Sequence, residues 1–162
     1  LTGTLPEPVL CFVFIGNEPR PVEIFVENKN LTFSGNKAKP GEYSVTGSSS
    51  HNDFTAFVKK FTPIAQQLNL LANDINSTMP GKERDTLIAS YTKQQEKLQQ
   101  EIDELVKEKP ASLVTPFILS ATYSFKEDIV LLEQRFAKLD VSARNSTMGK
   151  QLQTEIAEKN SS

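Results

Sequence analysis

The side chains of this sequence that could do chemistry are few and lie apart along the chain. Cys11 is the only cysteine, so the chain has no Cys-x-x-Cys pair, no internal disulfide and no cysteine zinc site. It lies within the apolar run Val9–Ile15. Because apolar burial suppresses the reactivity of a thiol, we expect Cys11 to be a buried and inert side chain.

His51 is the only histidine and stands in the polar segment Gly47–Asp53. One histidine without neighbouring ligands makes a poor metal site, and we expect His51 to lie on the surface near a helix start. Glu101, Asp103 and Glu104 could act as paired carboxylates in acid–base catalysis. On a strongly charged helix, a solvated face is the better interpretation. The sequence therefore predicts no catalytic, cofactor-binding or metal-binding residue, and we expect the chain not to be an enzyme.

Length and charge limit the remaining function classes. At 162 residues the chain can form one domain, or two closely packed subdomains, with a real core. The formal net charge of -2 gives no reason to expect a nucleic-acid partner. No apolar run is long enough to span a membrane. The sequence starts at Leu1 without Met or a signal-like segment, and we expect it to be an excised piece of a longer protein.

Residues 1–47 have the pattern of a small antiparallel β region. The pattern predicts, in order, a strand buried on both faces at Val9–Ile15, a hairpin of Val22–Val26 with Leu31–Ser34, a loop at Asn36–Gly41 and a short strand at Glu42–Thr46. These strands are too few for a closed sheet. We therefore expect a truncated sheet that lacks at least one upstream strand and has an edge free to pair with another chain.

Residues 48–162 have the pattern of a helical region that opens with a long antiparallel hairpin over residues 52–109. Apolar residues recur every three or four positions over residues 54–75, which predicts an amphipathic helix with a kink before Pro63. The second arm follows Met79-Pro80-Gly81 and carries a near-heptad repeat of apolar residues. This repeat predicts that the second arm packs roughly antiparallel to the first arm, with a shallow crossing angle between the two helices. Its apolar members are Ile88, Tyr91, Leu98, Ile102 and Leu105.

Polar residues suggest how the hairpin is capped and what it could contact. Gly47–Asp53 is expected to cap the first arm, with Asp53 at the positive end of the helix dipole. Asp103 and Lys107 are spaced for an ion pair within the second arm, and Pro110 ends that arm. The charged outer face of the second arm could meet a partner. Alternatively, its seam could form a dimeric coiled coil.

Three shorter helices are expected to complete an α+β, mostly α fold. Their predicted ranges are 112–123, 126–139 and 145–159. Ser124 and Glu127 match a capping box, and Asn145 or Ser146 could cap the last helix. Gly149 inside that last helix costs about 1 kcal/mol relative to Ala unless it permits a close contact.

Several of these features follow one another in an order that resembles a known arrangement. They are Gly47-Ser48, Asn52-Asp53-Phe54, the segment 109–114, Leu131 to Glu133 with Phe136 and Leu139, and the segment 145–152. The order resembles the N-terminal domain of unknown function that precedes the thioredoxin-fold domain in bacterial envelope thiol–disulfide oxidoreductases. These relatives are commonly periplasmic or lipid-anchored. The resemblance covers nearly the whole chain.

The resemblance implies a non-catalytic accessory domain, in the periplasm or cell envelope, that positions a thioredoxin domain or recognises partner proteins. The catalytic Cys-x-x-Cys of the family lies in the thioredoxin domain, expected after Ser162 and absent here, so Cys11 is not given that role. Implied partners are that domain, protein substrates or a second copy. Formal glycosylation sequons at Asn30, Asn76 and Asn145 are then chance matches. The alternative is a self-standing interaction or ligand-binding module of the bacterial envelope without a redox role.

Overall fold

A computed structural model describes residues 2–162, without the side chain of Pro40, and confirms the predicted α+β, mostly α fold. Leu1, where the predicted β region begins, lies outside the described residues. The strands are β1 (Val9–Val13), β2 (Val22–Val26), β3 (Thr32–Asn36) and β4 (Lys39–Thr46). The helices are α1 (Ser49–Ser77), α2 (Lys82–Glu108), α3 (Thr115–Thr122), α4 (Ile129–Ala137), α5 (Val141–Arg144) and α6 (Thr147–Ser161), with a 3-10 turn at Tyr123–Phe125.

The strands pair as two separate antiparallel hairpins, β1 with β2 and β3 with β4. The predicted hairpin of β2 with the segment Leu31–Ser34 is therefore wrong, because helix α1 occupies the edge of β2 that β3 would need. The predicted loop at Asn36–Gly41 is also wrong, since β4 begins at Lys39. The Asn36 side chain accepts from the Ala38 N–H at 2.9 Å and closes a tight turn between β3 and β4.

Strand β1 is far more exposed than its apolar sequence predicts. Val9 is 41% exposed and Phe12 is 54% exposed, while Leu10 packs against the main core. The prediction of a strand buried on both faces is wrong, because the sheet has two strands and β1 has a neighbour on one side only. Cys11 is accordingly half-buried rather than enclosed.

Helices α1 and α2 form the predicted antiparallel hairpin. Helix α1 continues through Pro63, and Ser48 caps it by accepting from the His51 N–H at 3.0 Å. On α2, Leu87 is half-buried whereas Ile88 is 43% exposed, so Leu87 takes the seam position that the sequence assigned to Ile88. In a helix of 3.6 residues per turn either residue can precede Tyr91 on the seam, and packing against α1 selects Leu87.

The shorter helices differ from their predicted bounds where more than one residue could act as the N-cap. Asp128 caps α4 by accepting from the Leu131 N–H at 3.0 Å, whereas Ser124 lies in the 3-10 turn and opens no helix. The predicted capping box is therefore wrong, because a better-placed carboxylate lies four residues further on. Of the two predicted caps of the last helix, Asn145 and Ser146, the structure uses Ser146, whose side chain accepts from the Gly149 N–H at 3.0 Å.

Gly149 permits a close contact between α5 and α6, which accounts for a glycine inside the last helix. A Cβ atom at this position would overlap the carbonyl oxygens of Ala143 and Arg144, so only glycine lets α6 follow α5 this tightly. Helix α5 itself is a single turn that the sequence analysis did not predict.

One hydrophobic core joins the first β-hairpin to the helices. Phe25 of β2 is fully buried and meets Phe54 of α1 and Phe117 of α3 edge to face, with ring centroids 5.0 and 5.5 Å away. The same cluster includes buried side chains of α1 to α6, among them Ile64, Leu68, Leu98, Ile102, Ile118, Leu119, Leu132, Ala143 and Leu152. Burying each large apolar side chain stabilises a fold by about 1.5–3 kcal/mol, so the shared cluster attaches β2 firmly to the helices.

Candidate functional site

The joint between β2 and the start of α1 is the most elaborate polar arrangement in the structure. The Phe25 carbonyl accepts from Ser48 Oγ at 2.9 Å, and the Phe25 N–H donates to His51 Nδ1 at 3.4 Å. Ser48 and His51 are 1% and 3% exposed. A buried N–H and a buried C=O at a strand edge both need hydrogen-bond partners. Here the side chains of Ser48 and His51, at the start of α1, supply those two hydrogen bonds.

His51 is a buried structural residue, and its predicted position on the surface is wrong. Gly47 has a φ of 100°, and the chain reversal that it allows turns His51 inward against Phe25. Because Nδ1 accepts the Phe25 N–H, the neutral ring carries its proton on Nε2. Burial lowers the pKa of His51 and favours this neutral form.

Glu27, just beyond β2, holds the first turn of α1 from outside. Its carboxylate accepts from the Ser49 N–H at 2.5 Å and from the Ser49 and Ser50 hydroxyls. Burial alone would raise the pKa of Glu27, but hydrogen bonds from the Ser48–Ser50 segment outweigh it and lower that pKa. The carboxylate also faces the positive end of the α1 dipole, which stabilises its charge.

Asp53 does not lie at the helix terminus as predicted, because α1 begins at Ser49. Its carboxylate instead pairs with Lys109 Nζ at 3.2 Å and accepts from Ser112 Oγ at 2.9 Å. Asp53 thereby ties α1 to the segment that leaves α2.

The three carboxylates of α2 that could have formed an acid–base pair are each occupied by a cation. Lys60 of α1 lies 3.3 Å from Glu101 and 3.9 Å from Glu104, and the hydrogen bond to Glu101 and the charges of both acids raise the pKa of Lys60. Asp103 accepts from Arg135 Nε at 2.8 Å. These contacts make the carboxylates links between helices.

Arg135 of α4 replaces the predicted partner of Asp103. Arg135 is 6% exposed, and its guanidinium also donates to the Gln99 side chain at 2.9 Å and the Gln99 carbonyl at 3.1 Å. The predicted Asp103–Lys107 pair is wrong, because a planar donor fixed by three acceptors outcompetes a flexible lysine.

The far end of the helical hairpin forms a protruding surface, which we call the hairpin tip and define as residues 72–90. None of its side chains is buried, in contrast to the hairpin base, where Leu98 and Ile102 are fully enclosed. The tip or its border exposes 84% of Met79, 60% of Leu70 and 43% of Ile88. Met79, in the connection between the two helices, is the most exposed of these three side chains.

Within residues 2–162 no group of three or more His, Cys, Asp or Glu side chains could hold a metal ion. In the same residues no helix has both the length and the apolarity to cross a membrane. Cys11 has no charged residue on its own strand, and its nearest strand partner is Ile24.

A comparison with protein families matches residues 1–54 to a domain of unknown function (DUF4369). This third of the chain covers both β-hairpins and the first turn of α1, and so includes Glu27, Ser48 and His51. No curated protein and no solved structure matches the chain. The chain is therefore similar to a domain of unknown function over its β region.

Sequence reasoning missed Glu27 and Arg135, which organise the two most connected polar clusters. No local signal identified Glu27, because the strand that precedes Gly47-Ser48 is β4, whereas Glu27 follows β2. No local signal identified Arg135, since its partners Gln99 and Asp103 lie on another helix.

Proposed function

We propose that this chain is a non-catalytic accessory domain of a thioredoxin-like thiol–disulfide oxidoreductase of the bacterial cell envelope. It positions the catalytic domain or recognises partner proteins. Two lines support the proposal: the match of residues 1–54 to a domain of unknown function, and the order of sequence features that resembles the domain preceding a thioredoxin fold. The periplasmic or envelope location rests on that resemblance.

The hairpin tip is the observation that carries the interaction role. The base of the hairpin is fixed by the buried side chains of Leu98 and Ile102 and by the Lys60–Glu101 ion pair. The two helices therefore hold the tip in a defined position relative to the core. Met79 at its apex has an apolar side chain in solvent. A flexible, polarizable methionine suits contact with a protein surface whose shape varies.

The single thiol gives this chain no dithiol couple of its own. Thiol–disulfide oxidoreductases of the thioredoxin type cycle between a dithiol and a disulfide, which requires two cysteines within bonding distance. Cys11 is the only cysteine here, so the catalytic pair would belong to the thioredoxin domain. We expect the 162-residue protein to have no insulin-reducing activity, and turnover that disappears in Cys11→Ser would overturn this.

The decisive test is the sequence of the encoding gene beyond Ser162. A Trp-Cys-x-x-Cys-type segment within roughly the next hundred codons, the span of one domain, is the expected result. A stop codon at that point would overturn the accessory role and favour a self-standing interaction module with no redox role.

The interaction role has a separate test in the full-length protein. Met79→Glu places a charge on the apex of the hairpin tip and should lower kcat/KM for a disulfide-bonded protein substrate by about tenfold, the effect of 1.4 kcal/mol. Turnover of a small disulfide should stay unchanged. Val130→Glu is the matched control, because Val130 is 58% exposed on α4, away from the tip. Equal effects of the two variants would contradict a role for the tip.

A further inference from the structure

A cavity of about 440 Å³ lies beside the C-terminal ends of α2 and α4. Its lining residues are Asp103, Val106, Lys107, Pro110 and Lys138. Sites for small molecules typically enclose roughly 300–1,000 Å³, so this cavity has the size for a small ligand. Val106 is buried and Pro110 is half-buried, whereas both lysines are exposed. The cavity therefore has an apolar floor, and the two lysines border its opening to solvent.

Hydrogen bonds join the two sides of the cavity. The N–H of Asp140, in the segment after α4, donates to the carbonyl of Pro110, in the segment after α2, at 3.0 Å. The Asp103–Arg135 ion pair, at 2.8 Å, links α2 to α4 beside it. A binding site that is ordered before its ligand arrives loses less entropy on binding. These contacts make the cavity a preformed part of the fold.

The cavity has an excess of positive charge. Asp103 is the only acid among the lining residues, and the guanidinium paired with it offsets its charge. The neighbouring acids Glu108 and Asp140 are not among the lining residues. Among the residues that the structure describes, neither Lys107 nor Lys138 forms an ion pair with a carboxylate. Two ammonium groups from different helices therefore border one cavity without an acid between them.

The helix ends reduce this positive charge but do not cancel it. Lys107 lies in the last turn of α2, and Lys138 directly follows α4, where a lysine offsets the negative end of the helix dipole. Each helix end is equivalent to about half a negative charge, so the two ends together offset about one of the two lysines. A net positive charge remains available to an anion.

We propose that this cavity binds a small phosphate monoester, with its phosphate between Lys107 and Lys138 and its apolar substituent on Val106 and Pro110. A phosphate monoester carries a charge of about −1.5 to −2 near pH 7, which matches the two ammonium groups. Lysine binds phosphate as a point charge, so the site does not need an arginine, and the nearby Arg135 is already bound to Asp103. The site does not depend on the proposed function, because it uses the ends of α2 and α4 and leaves the hairpin tip free.

Titration of the 162-residue protein with phenyl phosphate, followed by NMR of the backbone amides, tests the site. We expect saturable shifts at Val106, Lys107, Lys138 and Leu139, with a dissociation constant of about 1 mM, because exposed ion pairs are individually weak. Benzoate, with one negative charge on the same ring, should bind more weakly, and the uncharged benzyl alcohol should cause no saturable shift.

Three results of this titration would overturn the proposal. They are the absence of saturable shifts with phenyl phosphate up to about 10 mM, binding of benzyl alcohol at the same residues with equal affinity, and binding of benzoate as tight as that of phenyl phosphate. The first would show that no site exists, the second that the cavity binds apolar rings without regard to charge, and the third that the site does not require a phosphate. The accessory role is tested by the gene sequence beyond Ser162, so its failure is distinguishable from these results.

Lysine variants test whether the two ammonium groups bind the phosphate. Lys107→Gln and Lys138→Gln should each weaken phenyl phosphate binding by about threefold, and the double variant by about tenfold. Lys97→Gln is the matched control, because Lys97 is another exposed lysine of α2, about 15 Å along the helix from Lys107. Unchanged circular dichroism would show that the variants are folded. Undiminished binding by the folded double variant, or equal weakening in Lys97→Gln, would overturn the site.

Discussion

The two β-hairpins of this protein are both antiparallel strand pairs, yet one is part of the core and the other lies on the surface. In β2, Val22, Ile24 and Phe25 are buried, whereas all five residues of β3 are exposed. The second hairpin is held together by its own contacts, a stack of Phe33 on Tyr43 at 5.6 Å and a hydroxyl pair of Ser34 and Ser44 at 2.8 Å. Attachment to the helices thus depends on a few anchors on β2 and not on β-propensity.

The strongest anchor is the Phe25 ring, and its removal should have the largest effect. Phe25→Ala should lower the free energy of unfolding by about 3–5 kcal/mol, because it leaves a cavity between β2, α1 and α3. Phe33→Ala in the exposed hairpin is the matched control and should cost less than about 1 kcal/mol. Urea unfolding followed by circular dichroism measures both. Similar losses in the two variants would mean that the second hairpin also belongs to the core.

Gly47 sets the direction in which the chain enters α1. Its φ of 100° disfavours other residues, and a Cβ there would overlap the Asn30 carbonyl oxygen. We expect Gly47→Ala to destabilise the protein by about 1–3 kcal/mol. In β4, Gly41 has nothing within 4 Å of an added Cβ, so Gly41→Ala should be close to neutral. The melting temperatures of the two variants test this prediction. A loss in Gly47→Ala alone indicates backbone strain at the joint, whereas equal losses would show that alanine is unfavourable at either glycine.

Glu27 is the polar anchor of the first hairpin. Glu27→Gln keeps its size but loses the charge that faces the α1 N-terminus, and it should cost about 1 kcal/mol. Glu23→Gln on β2 is the control, because Glu23 is exposed and makes no contact of the kind that Glu27 makes with the serines of α1. The free energy of unfolding of both variants is measured by chemical denaturation. If the two variants lose the same amount, the hydrogen bonds from Ser49 and Ser50 to Glu27 do not stabilise the fold.

The joint should also lose stability as the pH falls, in two steps. The pKa of His51 is lowered by burial, so the unfolded chain binds the proton first, and stability decreases as the pH falls below about 6.5, the ordinary histidine value. The pKa of Glu27 is lowered by its hydrogen bonds, which gives a second loss below about 4.3, the ordinary glutamate value.

His51→Asn isolates the first step, because asparagine can still accept from Phe25 but does not titrate. The free energy of unfolding of this variant, measured by urea titration between pH 7.5 and 5.5, should vary less with pH than that of the unsubstituted protein. His51 is the only histidine, so no other imidazole masks the difference. Identical slopes would show that His51 is protonated equally in the folded and unfolded chains.

The sequence predicted best where one periodic pattern runs over many residues. The apolar repeat over residues 54–75 and the near-heptad of the second arm predicted the antiparallel hairpin, because such amphipathic helices bury a face only against each other. It predicted less well where neighbouring residues compete for one role. Ser124 and Asp128 could each cap a helix, and Leu87 and Ile88 could each join the seam, and local chemistry does not separate them.

The amino-acid sequence by itself determined the fold class, the helical hairpin and the place of a cap at Asn145 or Ser146, since these follow from local periodicity and backbone chemistry. Only the tertiary structure decided which strands pair, that His51 is buried, and that Arg135 rather than Lys107 meets Asp103. Each of these features depends on contacts between residues that are distant in the sequence. Such contacts are stabilised by burial and by hydrogen bonds, which a local sequence pattern does not reveal.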